Sequence, residues 1–192
     1  MELAAIVADL ARWEGRMDYL YLDSRGFVTV GVGNLVATPE VCCRLPFVVP
    51  HMANAMRASG FGMPASDDTK RAAWAAIHAA PRGHRETFYA SLTSIRLPEA
   101  DIDAIAQSRL ATDFLPGLQR LYPHFDDIPA SAQSALTDMI YNLGEKGLSK
   151  FTHLAAAVRQ RDWRLASLAC HVSTCRKERN DWRAEMLAKA GG

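Results

Sequence analysis

The sequence predicts an α+β fold, mainly α, with a small β-containing lobe near the N-terminus, a larger helical lobe and a cleft between them. Two observations carry that expectation. Residues 19–22 and 27–32 alternate their side chains with period two on either side of the turn Asp23–Ser24–Arg25–Gly26, which is the pattern of a β-hairpin. Beyond Pro98 the apolar residues instead recur at helical spacing.

Element by element, Leu3, Ile6, Val7 and Leu10 share one face of a first helix, which should stop at Gly15, a common left-handed terminator. In the second strand Val28, Val30 and Val32 are expected on one face, and Phe27, Thr29 and Gly31 on the other. From Thr38 to about Arg96, prolines at 39, 46, 50, 64 and 81 cut the chain into short pieces. Two helices are expected there, near 51–58 and at 67–80, the second capped by Ser66 with Asp67 and Asp68 at its positive end. A helix opening near Pro98 should break or kink at Pro116.

The stretch 130–143 is the clearest helix. Ala132, Ala135, Leu136, Met139, Ile140 and Leu143 make a stripe broad enough for a central core helix. Gly144 and Gly147 bracket a turn, Phe151, Leu154, Ala155 and Val158 start another helix, and two more fit 162–174 and 177–189. The expected organisation is one domain over 1–192, with a β-containing lobe at 15–60, an extended helical insertion at 38–96 and a helical lobe at 97–192.

Composition excludes several classes. The 192 residues carry a formal net charge of +1, so no strong field draws a polyanion, and nucleic acid is not expected as a partner. No apolar run reaches the roughly 18 to 20 residues needed to cross a bilayer, so membrane insertion is not expected either. The start "MELAAIVADLARWEG" bears acids where a secretory leader carries lysine or arginine, and reads as an amphipathic helix of a chain made in the cytoplasm. Cys42, Cys43, Cys170 and Cys175 form neither a metal-type pair nor a disulfide framework, and the six histidines show no ligand spacing, so neither metal nor other cofactor is expected. Cys170 and His171 adjoin, but neighbours on a helix do not face each other, which argues against a nucleophile and its base.

The chemistry-bearing stretch is "WEGRMDYLYLDSRGFVTVGVGNL", residues 13–35. Glu14 follows Val7 and Leu10 on the inward stripe of the first helix, and sits at the negative end of its dipole. An acid in such a place is suited to hold and deliver a proton. Asp23 occupies a turn position where aspartate commonly bonds the backbone two residues on, and Thr29 fits a strand by propensity alone. Gly31 and Gly33 remove side chains from the second strand, as a ligand lying against the backbone would require.

The arrangement E-x8-D-x5-T formed by Glu14, Asp23 and Thr29 resembles the catalytic signature of phage-type lysozymes, the endolysin family of glycoside hydrolases. "ALTDMIYNLGEKGLSKF", followed by a helix with Trp163, is similar to the central buried helix of that family and the turn after it; "RNDWRAEML" is similar to its last helix. The likeness covers about residues 3–37 and 97–188, and leaves the longer segment 38–96 outside it. That segment is reminiscent of pesticin-like bacteriocins and secretion-system effectors.

The resemblance implies a lysozyme-like fold and hydrolysis of the β-1,4 bond between N-acetylmuramic acid and N-acetylglucosamine in bacterial peptidoglycan. Glu14 would be the general acid. Asp23 would steady the developing charge and, with Thr29, position the attacking water, in an inverting reaction; a retaining variant would use Asp23 as nucleophile. Gly31, Asn34, Tyr141 and Asn142 would line the substrate, Asn34 standing where many relatives carry histidine. Arg179 and Arg183 would brace the acid-bearing helix, whereas Arg176 reads as a solvated charge. The chain would act as a monomer in the periplasm, released as an endolysin or delivered as an effector with a cognate immunity protein. A non-catalytic wall-binding module and a lytic transglycosylase are the alternatives.

Overall fold

The computed structural model describes residues 2–50 and 62–192; the helix expected near 51–58 lies outside the described residues. The fold is mainly helical with a small antiparallel sheet. It divides into two compact units, one formed by residues 14–106 and the other by residues 1–13 together with 107–192.

In the unit 14–106 the sheet comes first. β1 (Met17–Leu22), β2 (Val28–Gly31) and β3 (Asn34–Leu35) form an antiparallel sheet in that order. Leu22 pairs with Val28 and Tyr21 with Thr29, so the turn chemistry of residues 23–26 sets the register. The third strand is a departure from the two-stranded hairpin expected from sequence. Gly31 and Gly33 both adopt positive φ, 66° and 64°, which turns the chain so that Val30 pairs with Asn34. These glycines therefore have a backbone reason of their own. A Cβ on Gly31 would also stand 3.4 Å from Ile102, a contact of ordinary packing.

Being the middle strand, β2 is buried at Val28, Thr29, Val30 and Gly31 alike, while Phe27, just outside it, is exposed. No residue of β2 is left to solvent, and α3 (Asp67–His78) packs on this strand.

The segment 38–96 is not purely helical, as was expected. It holds α2 (Pro39–Arg44), α3 and the short α4 (Glu86–Tyr89), and also a second antiparallel pair, β4 (Val48–Pro50) with β5 (Gly62–Pro64). Pro50 and Pro64 sit at the ends of their strands, where a missing N–H is tolerated. Ser66 caps α3 by accepting from the Thr69 N–H at 3.2 Å, as its sequence suggested. α3 packs on β1 and β2, and α4 on β1. The first turns of α5 (Glu99–Arg109) complete this unit, and Arg16 forms an ion pair with Asp103 on that helix.

The other unit contains α1 (Leu3–Glu14) up to Trp13, and the later helices: α6 (Leu115–Leu121), α7 (Ala130–Leu148), α8 (Thr152–Gln160), α9 (Trp163–Ala169) and α10 (Lys177–Lys189). Near Pro116 the helix does not stop but becomes irregular. A π-helical turn, Leu110–Phe114, precedes α6, and Pro116 falls in the first turn of α6, where its missing N–H costs little. α7 is the core helix: every residue from Ala135 to Ile140 is buried, and Gly144, at φ 68° and ψ 169°, ends its regular part where the sequence placed a turn. α7 packs against α6 and α10, and α9 against α8 and α10. α9 stops at Ala169, short of the expected 174, and Val172 is held instead by Asn180, whose side chain bonds both its N–H and its carbonyl.

Candidate functional site

The hairpin brings two of the expected catalytic residues together through one peptide unit. Asp23 Oδ1 accepts from the Arg25 N–H at 2.9 Å and the Phe27 N–H at 2.8 Å. Its own N–H donates to the Phe27 carbonyl at 3.0 Å, and the Thr29 hydroxyl donates to that same carbonyl, also at 3.0 Å. Phe27 is therefore the hub that orients both side chains. Asp23 is half-buried and Thr29 is 3% exposed. One Asp23 oxygen is committed to the turn, and Oδ2 is the oxygen that chemistry at this carboxylate would use. Thr29, its proton spent on the backbone, retains lone pairs that can accept from a water.

Glu14 is the last residue of α1 and is half-buried, in line with the buried Val7 and Leu10 on the same helix. Of the other residues expected to line substrate, Gly31 closes β2 and Asn34 opens β3, both buried.

The remaining expected residues lie in the helical unit, where two of them meet an acid that sequence reasoning passed over. Asp138 lies inside α7, 1% exposed. Arg179 reaches it from α10 with Nη2 at 2.8 Å and Nε at 3.1 Å from Oδ1, and Arg183 with Nε at 2.5 Å from Oδ2. Both arginines are buried, at 8% and 0% exposure. A carboxylate on α7 is thus one partner of both arginines of the expected brace. Among the described residues, Arg183 Nη2 has no hydrogen-bond partner. Asp9 on α1 feels the same cluster: burial first pushes its carboxyl above the ordinary range, Arg12 opposes this, and the charge of Asp138 adds to it.

The signal for Asp138 was available in the sequence as a charged residue at the centre of the most apolar helix. It was hidden because a stripe is read by what repeats, and an isolated acid does not.

Tyr141 and Asn142 stand at the end of the regular part of α7. The Tyr141 ring lies 4.9 Å from Phe114, and the Arg109 guanidinium covers both rings, 5.7 and 5.5 Å from their centroids. Asn142 Oδ1 accepts from Cys175 Sγ at 3.1 Å, and Arg183 Nη1 donates to the same sulfur at 3.5 Å. Cys175 therefore links an expected substrate residue to the arginine cluster. Trp13 and Trp182 meet at 5.9 Å in the same unit.

All four cysteines are free thiols. Burial pushes the Cys42 thiol up to about 12, with Cys43 adding to the shift and Lys70 opposing it, so this sulfur stays protonated and inert. Among the described residues, no three His, Cys, Asp or Glu side chains are grouped to hold a metal ion, and no helix is long and apolar enough to cross a membrane.

No protein-family model matches the chain, and no curated protein matches it in sequence. What the chain can do is accordingly decided by its own side chains and where the fold puts them.

Proposed function

We propose that the chain is a lysozyme-like peptidoglycan muramidase that hydrolyses the β-1,4 bond between N-acetylmuramic acid and N-acetylglucosamine. The observation that carries this reading is the way E-x8-D-x5-T folds. The glutamate ends a helix, the aspartate is oriented by the turn directly after β1, and the threonine is tied to the aspartate through Phe27. Glu14 protonates the glycosidic oxygen, Asp23 Oδ2 steadies the oxocarbenium-like charge, and Thr29 accepts from the attacking water. Gly31 and Asn34, in the same unit as the two acids, contact the glycan, and Arg179 and Arg183 hold Asp138 within the helical unit. The reaction uses no cofactor. The enzyme works as a monomer on the wall from the periplasmic side, as an endolysin or as a delivered effector neutralised by an immunity protein.

Glu14→Gln preserves shape and hydrogen bonding but removes the proton donor. The expected result is a fall of about 10²–10⁴-fold in the lysis of purified sacculi. Lysis at the native rate would end the proposal.

A second reading, lytic transglycosylase action, is favoured by one observation: Asp23 Oδ1 already serves the turn, and a transglycosylase needs only the single acid Glu14. Mass spectrometry of the released fragments separates the two, since hydrolysis leaves reducing ends and transglycosylation leaves anhydro-muramic ends.

A further inference from the structure

The helical unit contains a cavity of about 320 Å³ that none of the residues placed in the muramidase site lines. Its walls come from the turn after α6 and from the end of α8. Ile128 and Val158, both buried, give it an apolar floor. Arg159 and Arg161 supply two guanidinium groups at its rim, and Asp127 one carboxylate, with His124 Nδ1 3.6 Å from Asp127 Oδ2.

The Tyr122 side chain also lines this cavity. It is 2% exposed, and among the described residues its hydroxyl makes no hydrogen bond. At a cavity wall this hydroxyl is a donor available to whatever enters the cavity. Burial pushes the phenol above its ordinary range while Arg159 opposes the shift, and it remains a donor at neutral pH. Two non-glycine residues flank the cavity in left-handed conformation, His124 at φ 69° and Arg161 at φ 55°.

A bare inorganic anion would leave the apolar floor unused and would meet Asp127. A ligand with a carboxylate, an amino group and short aliphatic side chains satisfies every wall, and the volume lies in the range of about 300–1,000 Å³ usual for small-ligand sites.

We propose that this cavity binds the carboxylate-bearing end of a short peptide. Arg159, Arg161 and Tyr122 take the carboxylate, Asp127 takes an ammonium, and Ile128 and Val158 pack against its methyl groups. The inference rests on the muramidase reading for its source: the stem peptides of peptidoglycan carry carboxylates, an amino group and alanine methyls. It makes the cavity an accessory site that recognises the peptide while the acid pair acts on the glycan.

Calorimetric titration of the full chain with a synthetic stem tetrapeptide, L-Ala-γ-D-Glu-meso-diaminopimelyl-D-Ala, tests it beside inorganic phosphate. Saturable peptide binding is expected, tighter than that of phosphate. It should weaken by roughly ten-fold in Arg159→Gln and in Arg161→Gln, and several-fold in Tyr122→Phe, with thermal unfolding unchanged in each. Absence of saturable binding, equal binding of phosphate, or native affinity in all three variants would overturn the proposal. The Glu14→Gln chain should bind the peptide as the native chain does. Retained wall lysis in that variant would sink the muramidase mechanism while leaving the peptide site standing.

Discussion

Asp23 and Asp138 are both shielded carboxylates, and the chain holds them in opposite ways. Asp23 is fixed by backbone N–H groups two and four residues away, on a turn that leaves it half-buried. Asp138 is fixed by side chains 41 and 45 residues away, deep in a helix, at 1% exposure. The first arrangement costs little to desolvate and leaves an oxygen for chemistry. The second joins three charges in a dry interior, where the attraction must offset the loss of hydration of each. A carboxylate that is to react belongs in the first setting, and one that is to hold helices in the second.

The sharpest way to break this contrast is to remove the interior acid. Asp138→Ala takes from two buried guanidiniums the carboxylate they share, and should cost about 3–5 kcal/mol in urea or guanidinium unfolding. A loss no larger than that of an ordinary surface change would mean that the cluster is not the anchor of the α7 and α10 packing. Replacing Asp138, Arg179 and Arg183 together with apolar residues of similar volume should be far milder than Asp138→Ala, since no charge is then left alone.

The turn acid separates into its two roles. Asp23→Ala removes two hydrogen bonds to the backbone, and should destabilise by about 1–2 kcal/mol. Asp23→Asn retains an acceptor for Arg25 and Phe27, and should unfold within about 0.5 kcal/mol of the native chain while wall lysis falls steeply. If Asp23→Asn lyses sacculi normally, the residue is a turn former alone.

At Gly144, φ 68° penalises any side chain although nothing stands within 4 Å of where a Cβ would be. Gly144→Ala should therefore cost about 1 kcal/mol from backbone conformation alone.

The smallest effect concerns pH. The folded chain holds the Asp9 proton more tightly than the unfolded chain, because burial and Asp138 raise its pKa above the ordinary 3.8. Its contribution is then fully favourable below 3.8 and is lost as pH rises through the folded value. Asp9→Asn should be slightly more stable than the native chain at neutral pH, by less than about 1 kcal/mol for a group only partly shielded from solvent. The advantage should vanish in denaturation curves recorded below pH 3.8.

Local signals were legible. The stripe of α1, the turn at Asp23, the Ser66 cap and the helix 130–143 with its stop at Gly144 each depend on residues within a few positions of one another. The misses have one character. β3 and the β4–β5 pair are short, and a strand of two or three residues has no periodicity to read; prolines at 50 and 64 looked like interruptions and proved to be strand ends. Asp138 was lost inside its own helix, and the Tyr122 cavity could not be seen at all, since its walls are contributed by residues 122–128 and 158–161.

By itself, then, the sequence determined where α1, α3 and the regular part of α7 lie, which turn holds Asp23, and that an acid stands at the end of α1, because each depends on backbone geometry and hydrogen bonds that reach only a few residues. The tertiary structure alone decided that Arg179 and Arg183 share Asp138, that β2 is buried on both faces, and that Tyr122, Arg159 and Arg161 surround one cavity. Those outcomes depend on desolvation and packing between distant segments, and no short-range pattern encodes which distant side chain arrives to balance a buried charge.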